Sequence, residues 1–155
     1  MKHIGVVFQA DHLIEELTAL ENVMLPLEVQ GEPAAAARDA AASALGRVGL
    51  DGLGDRHPSQ MSGGQRQRVG IARAIIGGRQ VLVADEPTGA LDSHTSLEVF
   101  ELLRGIADSG ALVIVATHDP VIAGLADVAM VMTDGRLDAV QHAAAPSVTT
   151  SVVPR

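Results

Sequence analysis

Two adjacent carboxylates after an apolar run could support metal and acid–base chemistry. Asp85 and Glu86 directly follow residues 81–84, Val-Leu-Val-Ala. Such an unbroken apolar run is typical of a parallel strand buried on both faces of its sheet. Ligands of open α/β sheets bind at the carboxyl ends of the strands. One carboxylate at that edge can hold Mg²⁺, mostly through water, and the other can orient or deprotonate a nucleophilic water.

A second stretch has the features of an anion-binding helix start. Ser62 can cap a helix, because its hydroxyl can accept from a backbone N–H in the first turn. Gly63-Gly64 would leave the N–H groups of that turn uncovered, so that an anion could approach them closely. Residues 66–76 carry apolar side chains at helical spacing, and Gly77-Gly78 is expected to end the helix.

These pieces, in this order, resemble the ABC-type ATPases. Ser62-Gly63-Gly64-Gln65 looks like the signature motif of that family, and residues 81–86 look like its Walker B strand. Leu91-Asp92 matches the D-loop, and Thr117-His118-Asp119 matches the segment that carries the switch histidine. Each piece alone is common in ordinary turns, but four of them at compatible spacing indicate the family.

Two further segments upstream support the resemblance. Residues 4–8 form an apolar run that we expect to be a strand, and Gln9 follows it in the position of the family's Q-loop glutamine. The run from 17 to 27, Leu-Thr-Ala-Leu-Glu-Asn-Val-Met-Leu-Pro-Leu, resembles one branch of the family. That branch includes the ATPases of lipoprotein-release and macrolide-export systems.

The resemblance implies a role for each matching residue. Asp85 would hold Mg²⁺, with Gln9 close to the metal. Glu86 would be the general base, and His118 would bridge it to the γ-phosphate of ATP. Asp92 would cross the interface to a second ATPase subunit. Four residues would clamp the γ-phosphate of ATP that this second subunit holds: Ser62, Gly63, Gly64 and Gln65.

We expect an α/β fold, a partial P-loop NTPase sheet with a helical subdomain at about residues 11–76. Thr18 has the sequence context of a capping box, Pro26 should kink or end the first helix, and Pro33 should start the second. The resemblance makes residues 1–141 the C-terminal part of an ABC ATPase domain. The period-free composition of residues 142–155 indicates a disordered tail.

Three elements are expected after the D-loop. Thr95 and Glu98 can cap the next helix. Residues 111–116 form another apolar strand that would deliver Thr117 and His118 to the same sheet edge. Asp134-Gly135 between two apolar runs predicts a β-hairpin.

No Gly-x-x-x-x-Gly-Lys-Ser/Thr motif is found in these 155 residues, and Lys2 is the only lysine. In P-loop NTPases, that loop and its lysine cradle the phosphates. We therefore expect residues 1–155 alone neither to bind ATP tightly nor to hydrolyse it.

Composition limits the functional classes. A net charge of −8 without a basic block argues against nucleic-acid binding, and the absence of cysteine excludes disulfides and thiolate metal sites. No apolar run reaches the roughly 18–20 residues of a membrane span.

The resemblance implies the ATP-binding subunit of an ABC transporter, in the cytoplasm at the inner face of the cell membrane. It would pair with a membrane-spanning subunit and a second ATPase subunit. The alternative is a truncated, non-catalytic module that binds a transporter or a full ATPase without hydrolysis. An ABC-like ATPase of DNA repair would need long insertions between Gln9 and Ser62, which this sequence lacks.

Overall fold

A computed structural model describes residues 3–142, which fall into two compact units, the first ending at Thr117 and the second beginning at His118. The first unit contains β1 (Ile4–Val7), α1 (Ala19–Glu28), α2 (Ala34–Arg47), a 3₁₀ turn (Pro58–Gln60), α3 (Gly63–Ile75), β2 (Val81–Asp85), α4 (Ser93–Asp108) and β3 (Leu112–Ala116). The second unit contains α5 (Pro120–Ala123), β4 (Val128–Thr133) and β5 (Arg136–His142).

The sheet of the first unit confirms the predicted α/β fold. Its three strands are parallel in the order β1-β2-β3, with Ile4 opposite Val81 and Asp85 opposite Ala116. Helices α1 to α3 connect β1 to β2, and α4 connects β2 to β3. All three strands therefore end at the same edge of the sheet.

The expectation that β2 is buried on both faces is wrong for the first unit. Leu82 and Ala84 point into the core formed with α3 and α4, whereas Val81 and Val83 are only half-buried. On the two outer strands, β1 and β3, residues on the same side of the sheet are also exposed: Val6 is 41% exposed and Leu112 is 59% exposed. The helices of the unit cover one face only, so its apolar strands have one buried side.

β1 lies unusually close to α3. A Cβ on Gly5 would overlap the carbonyl oxygen of Ala74, so only glycine lets the strand backbone meet the helix backbone there. Val7 is buried in the same core. This contact fixes β1, and with it the residues that follow the strand, against α3.

The predicted helix boundaries are mostly confirmed. Thr18 and Ser62 both form capping boxes at the starts of α1 and α3. Pro26 lies in the last turn of α1, which ends two residues later, and Pro33 immediately precedes α2. The bounds of the helical subdomain, about 11–76, stay a prediction, because α1, α2 and α3 pack with the sheet in one unit.

One predicted cap is wrong. α4 begins after Asp92, whose side chain accepts from the backbone N–H groups of His94 and Thr95. An aspartate directly before the helix can reach those N–H groups, whereas Thr95 and Glu98 already lie inside it.

The second unit contains the predicted hairpin. Asp134 and Gly135 both have positive φ, 48° and 76°, which matches the tight turn that such dipeptides form between antiparallel strands. The predicted tail lies outside the described residues apart from His142, which ends β5. In residues 3–142 no helix is both as long and as apolar as a bilayer-spanning helix has to be.

Candidate functional site

The parallel register brings Gln9 and Glu86 to the same edge of the sheet. Val7 pairs with Ala84, so the residues that follow β1 run beside those that follow β2. The Gln9 side chain lies against the turn after Glu86, because a Cβ on Gly89 would come within 3.0 Å of Gln9 Nε2. The structure therefore places two sequence-predicted site residues together.

Glu86 occupies a strained backbone position. Its φ of 44° is left-handed, a conformation that residues with a side chain rarely adopt. Hydrogen bonds hold it there: the Glu86 N–H donates to Ala116 O at 2.9 Å, and Gly89 N–H donates to Glu86 O at 3.0 Å. Such strain is frequent at sites where a side chain has to be aimed at a ligand.

Asp85 fits a magnesium site that retains most of its water. It is the last residue of β2 and is exposed at the sheet edge. No three His, Asp or Glu side chains within residues 3–142 come close enough together to enclose a metal ion. Mg²⁺ is commonly held by one or two carboxylates and several waters, so an exposed aspartate next to the Gln9 segment suits it.

The start of α3 is built as predicted from the Ser62 segment. Gln65 N–H donates to Ser62 Oγ at 3.2 Å, and Ser62 N–H donates to Gln65 Oε1 at 3.0 Å. The Gln65 side chain therefore closes the cap of its own helix. Ser62 and Gly63 are exposed, so the positive end of the α3 dipole faces outward, where an anion is favoured by about 0.3–1 kcal/mol.

Gly64 lies so close to Thr95 that the structure leaves no room for a side chain at position 64. A Cβ at Gly64 would lie 2.5 Å from Cγ2 of Thr95, and one at Gly63 would lie 3.6 Å from Cδ2 of Leu91. The signature residues therefore pack against the D-loop residues and the first turn of α4. Sequence reasoning missed this contact, because nothing local marks residues 64 and 95 as neighbours.

A salt bridge joins the same two helices one turn further on. Arg68 Nη2 lies 2.6 Å from Glu98 Oε2, and both side chains are partly exposed. The starts of α3 and α4 are therefore held together by a steric contact and an ion pair.

Asp92 caps the N-terminus of α4. Its Oδ1 accepts from His94 N–H at 3.1 Å and Thr95 N–H at 3.0 Å, and its Oδ2 accepts from the Thr95 hydroxyl at 2.7 Å. The hydrogen bond from the Thr95 hydroxyl, followed by those from the backbone, lowers the pKa of Asp92. Its predicted place at a subunit interface stays a prediction.

His118 is the first residue of the second unit and follows β3 by two positions. Its predicted contact with the γ-phosphate stays a prediction.

Two buried polar residues escaped the sequence reasoning. Asn22 is fully buried in α1, and Gln67 is 4% exposed in α3. The available signal was position: Gln67 shares the helix face that carries Ile71 and Ala74, where an apolar residue is expected.

The chain is similar to several proteins of known class. A family model described as ABC transporter matches residues 1–89. The macrolide export ATP-binding/permease protein MacB of Photorhabdus laumondii is 47% identical over 88% of this chain. The lipoprotein-releasing system ATP-binding protein LolD of Paramagnetospirillum magneticum is 46% identical over 87% of it. The predicted branch of the family is thereby confirmed.

The structural comparison agrees with the sequence comparison. The dimeric, post-hydrolysis structure of the ATP-binding cassette MJ0796 bound to ADP and Pi superposes with a TM-score of 0.79 and 36% identity over 92% of this chain. The chain spans 21% of MacB, 60% of LolD and 64% of the MJ0796 chain. By its family match and its cassette fold, the chain belongs to the ABC transporter family.

Proposed function

We propose that this chain supplies part of an ATP-binding subunit that couples ATP hydrolysis to transport through a membrane-spanning partner. The observation that carries the proposal is the grouping of Gln9, Asp85 and Glu86 at one sheet edge. The similarity to MacB and LolD favours this function over a module that only binds. The site of action would be the inner face of the cell membrane.

Each residue at this edge would have a separate role in hydrolysis. Glu86 would accept the proton of the attacking water, and its half-buried, backbone-fixed position suits a base that must not move. Asp85 would hold Mg²⁺, with the Gln9 amide beside it, and the ion would offset the charge of the phosphates. His118 would contact the γ-phosphate.

The start of α3 would act on a nucleotide held by a second subunit. Ser62, Gly63 and Gly64 present an outward-facing helix start, and Gln65 keeps that start in shape through the capping box. The MJ0796 cassette has been solved as a dimer with ADP and Pi, which supports such a pairing. Asp92, next to this helix start, would lie near the subunit interface.

The test measures hydrolysis in a version that has a P-loop. Residues 1–155 contain no such motif, so a segment that carries a P-loop is joined to their N-terminus. Glu86→Gln should keep ATP binding and lower kcat by roughly 10²-fold or more. Glu101→Gln, on the exposed side of α4, is the matched control and should leave kcat unchanged. Near-normal turnover of Glu86→Gln would overturn the assignment.

Residues 1–155 without the extension form the second arm. Calorimetric titration with Mg-ATP should give no tight binding, because the lysine and N–H cradle of a P-loop are missing. Micromolar binding would reveal another phosphate cradle in this chain.

A further inference from the structure

The segment that carries Gln9 is a long loop held by side chains of two helices. We call residues 8–18, between β1 and α1, the Gln9 loop. Its far end is held by Asn22 of α1: Asn22 Oδ1 accepts from Ile14 N–H at 2.8 Å, and Asn22 Nδ2 donates to Ile14 O and Leu17 O at 3.0 and 3.1 Å. These contacts begin five residues after Gln9.

The near end is held by α3. Gln67 Nε2 donates to Phe8 O at 3.1 Å, directly before Gln9. Arg73 donates from Nη2 to Asp11 O at 2.6 Å and from Nη1 to His12 O at 2.8 Å, two and three residues after Gln9. The bonds from α3 therefore lie on both sides of Gln9, one residue before it and two to three residues after it.

The chemistry of the Gln67 and Arg73 side chains suits them to hold the Gln9 loop. Gln67 is almost fully buried, so losing its donor would remove the bond that ties Phe8 O to α3. Arg73 is charged, and its planar guanidinium can bond two adjacent carbonyls at once. One of those carbonyls belongs to His12, whose φ of 47° is left-handed. Arg73 thus holds a backbone conformation that an unrestrained loop would leave.

A third contact adds to this face of α3. Arg66 Nε lies 3.0 Å from Asp11 Oδ2, and a Cβ on Gly70 would lie 3.6 Å from Asp11 O. Residues 66, 70 and 73 are spaced as i, i+4 and i+7, so they lie along one side of the helix. Asp11 therefore contacts α3 along one side of the helix, from residue 66 to residue 73.

We propose that Arg73 and Gln67 are positioning residues that set Gln9 from α3, the helix whose N-terminus is the Ser62 segment. The proposal rests on the proposed function, in which Gln9 serves the metal side of one nucleotide and Ser62 faces a nucleotide on a second subunit. A single rigid helix then carries both. A displacement of α3 at Ser62 moves Gln9 with it, without any signal through the sheet.

The first measurement uses residues 1–155 and needs no activity. The chain contains no cysteine, so Ala10→Cys provides a unique, exposed attachment point for a nitroxide label beside Gln9. Arg73→Met and Gln67→Met keep an unbranched side chain and remove its donors. Each should shorten the rotational correlation time of the label by about twofold or more, because the loop is released from α3.

Two controls separate local release from general loosening. Arg104→Met removes a guanidinium from α4 that pairs with Asp108, and it should leave the label at position 10 unchanged. A label at Val29→Cys, 85% exposed at the end of α1, should be equally mobile in all variants. Unchanged mobility at position 10 in both Arg73→Met and Gln67→Met would overturn the proposal, whatever the chain's activity.

The second measurement uses the version that has a P-loop joined to the N-terminus. Gln9→Ala and Arg73→Met should both lower kcat by about tenfold with little change in KM for ATP, and Arg73→Lys should recover part of the loss because it keeps one charged donor. If Gln9→Ala lowers kcat and Arg73→Met does not, the positioning role is wrong. If Gln9→Ala leaves kcat unchanged while the label still responds to Arg73→Met, the proposed role of Gln9 fails and the link between α3 and the loop stands.

Discussion

A methyl group at position 64 tests whether the signature and D-loop residues are packed as the structure has them. In Gly64→Ala the new Cβ would lie 2.5 Å from Thr95 Cγ2, well inside van der Waals contact. Thr95 could swing the methyl away only by rotating about χ1. That rotation would break its 2.7 Å hydrogen bond to Asp92 Oδ2, which caps α4.

The expected magnitude combines two opposing effects. Overpacking of this kind costs about 1–3 kcal/mol of the free energy of unfolding. Alanine in a helix regains up to about 1 kcal/mol relative to glycine, and less in the first turn. We therefore expect Gly64→Ala to destabilise the chain by about 1–2 kcal/mol.

A double-mutant cycle isolates the contact. Thr95→Ser removes Cγ2 and keeps the hydroxyl that donates to Asp92 Oδ2, so alanine at position 64 should then be neutral or slightly stabilising. The coupling free energy between the two sites should be about 1–3 kcal/mol, measured by urea denaturation of the four proteins. Gly105→Ala is the control: apart from its chain neighbours and its own helix backbone, no described atom lies within 4 Å of the position that its Cβ would take, so it should stabilise by about 0.5–1 kcal/mol. A coupling near zero would show that Gly64 does not face Thr95.

Three further predictions concern other positions. Gly5→Ala should prevent cooperative folding, seen as loss of a sigmoidal urea transition, because its methyl would overlap the Ala74 carbonyl; a normal transition would contradict the close approach of β1 and α3. Glu86→Gly should be about 1 kcal/mol more stable than Glu86→Ala, since both lose the carboxylate but glycine adopts a φ of 44° without strain from a Cβ; equal stabilities would argue against backbone strain there. Thr95→Val should raise the pKa of Asp92, which the Thr95 hydroxyl lowers from an ordinary value of 3.8. A lowered carboxylate pKa gives stability that is present above the ordinary pKa and lost as pH falls through the lowered one. The advantage of Thr95 over valine should therefore shrink below about pH 4, and an NMR titration that leaves the Asp92 pKa unchanged would refute the cause.

Local chemistry was enough to predict most elements and the edge where the site lies. Ser62 and Thr18 predicted the starts of their helices, because a capping box involves only four consecutive residues. Asp85 and Glu86 were placed at a sheet edge because an apolar run ends directly before them. Such signals need no knowledge of distant residues.

The remainder depends on pairs that are far apart in sequence. Arg73 and Asp11 are 62 residues apart, and only the folded chain shows that the arginine bonds the Asp11 carbonyl. Thr95 meets Gly64 across two helices in the same way. The half-covered sheet was missed for a different reason: an apolar run shows that a strand can be buried on two sides, but not which sides its neighbours cover.

The order of the strands also has a consequence for synthesis. β1 and β2 are neighbours in the sheet but far apart in the sequence, because Ile4 pairs with Val81, 77 residues later. At the usual 5–20 residues per second, translation takes roughly 4–15 s to deliver that partner. Through that interval α1 and α2 can pack locally, whereas β1 cannot yet pair with β2. The strand that precedes Gln9 therefore pairs with β2 only after α1, α2 and α3 have been synthesised.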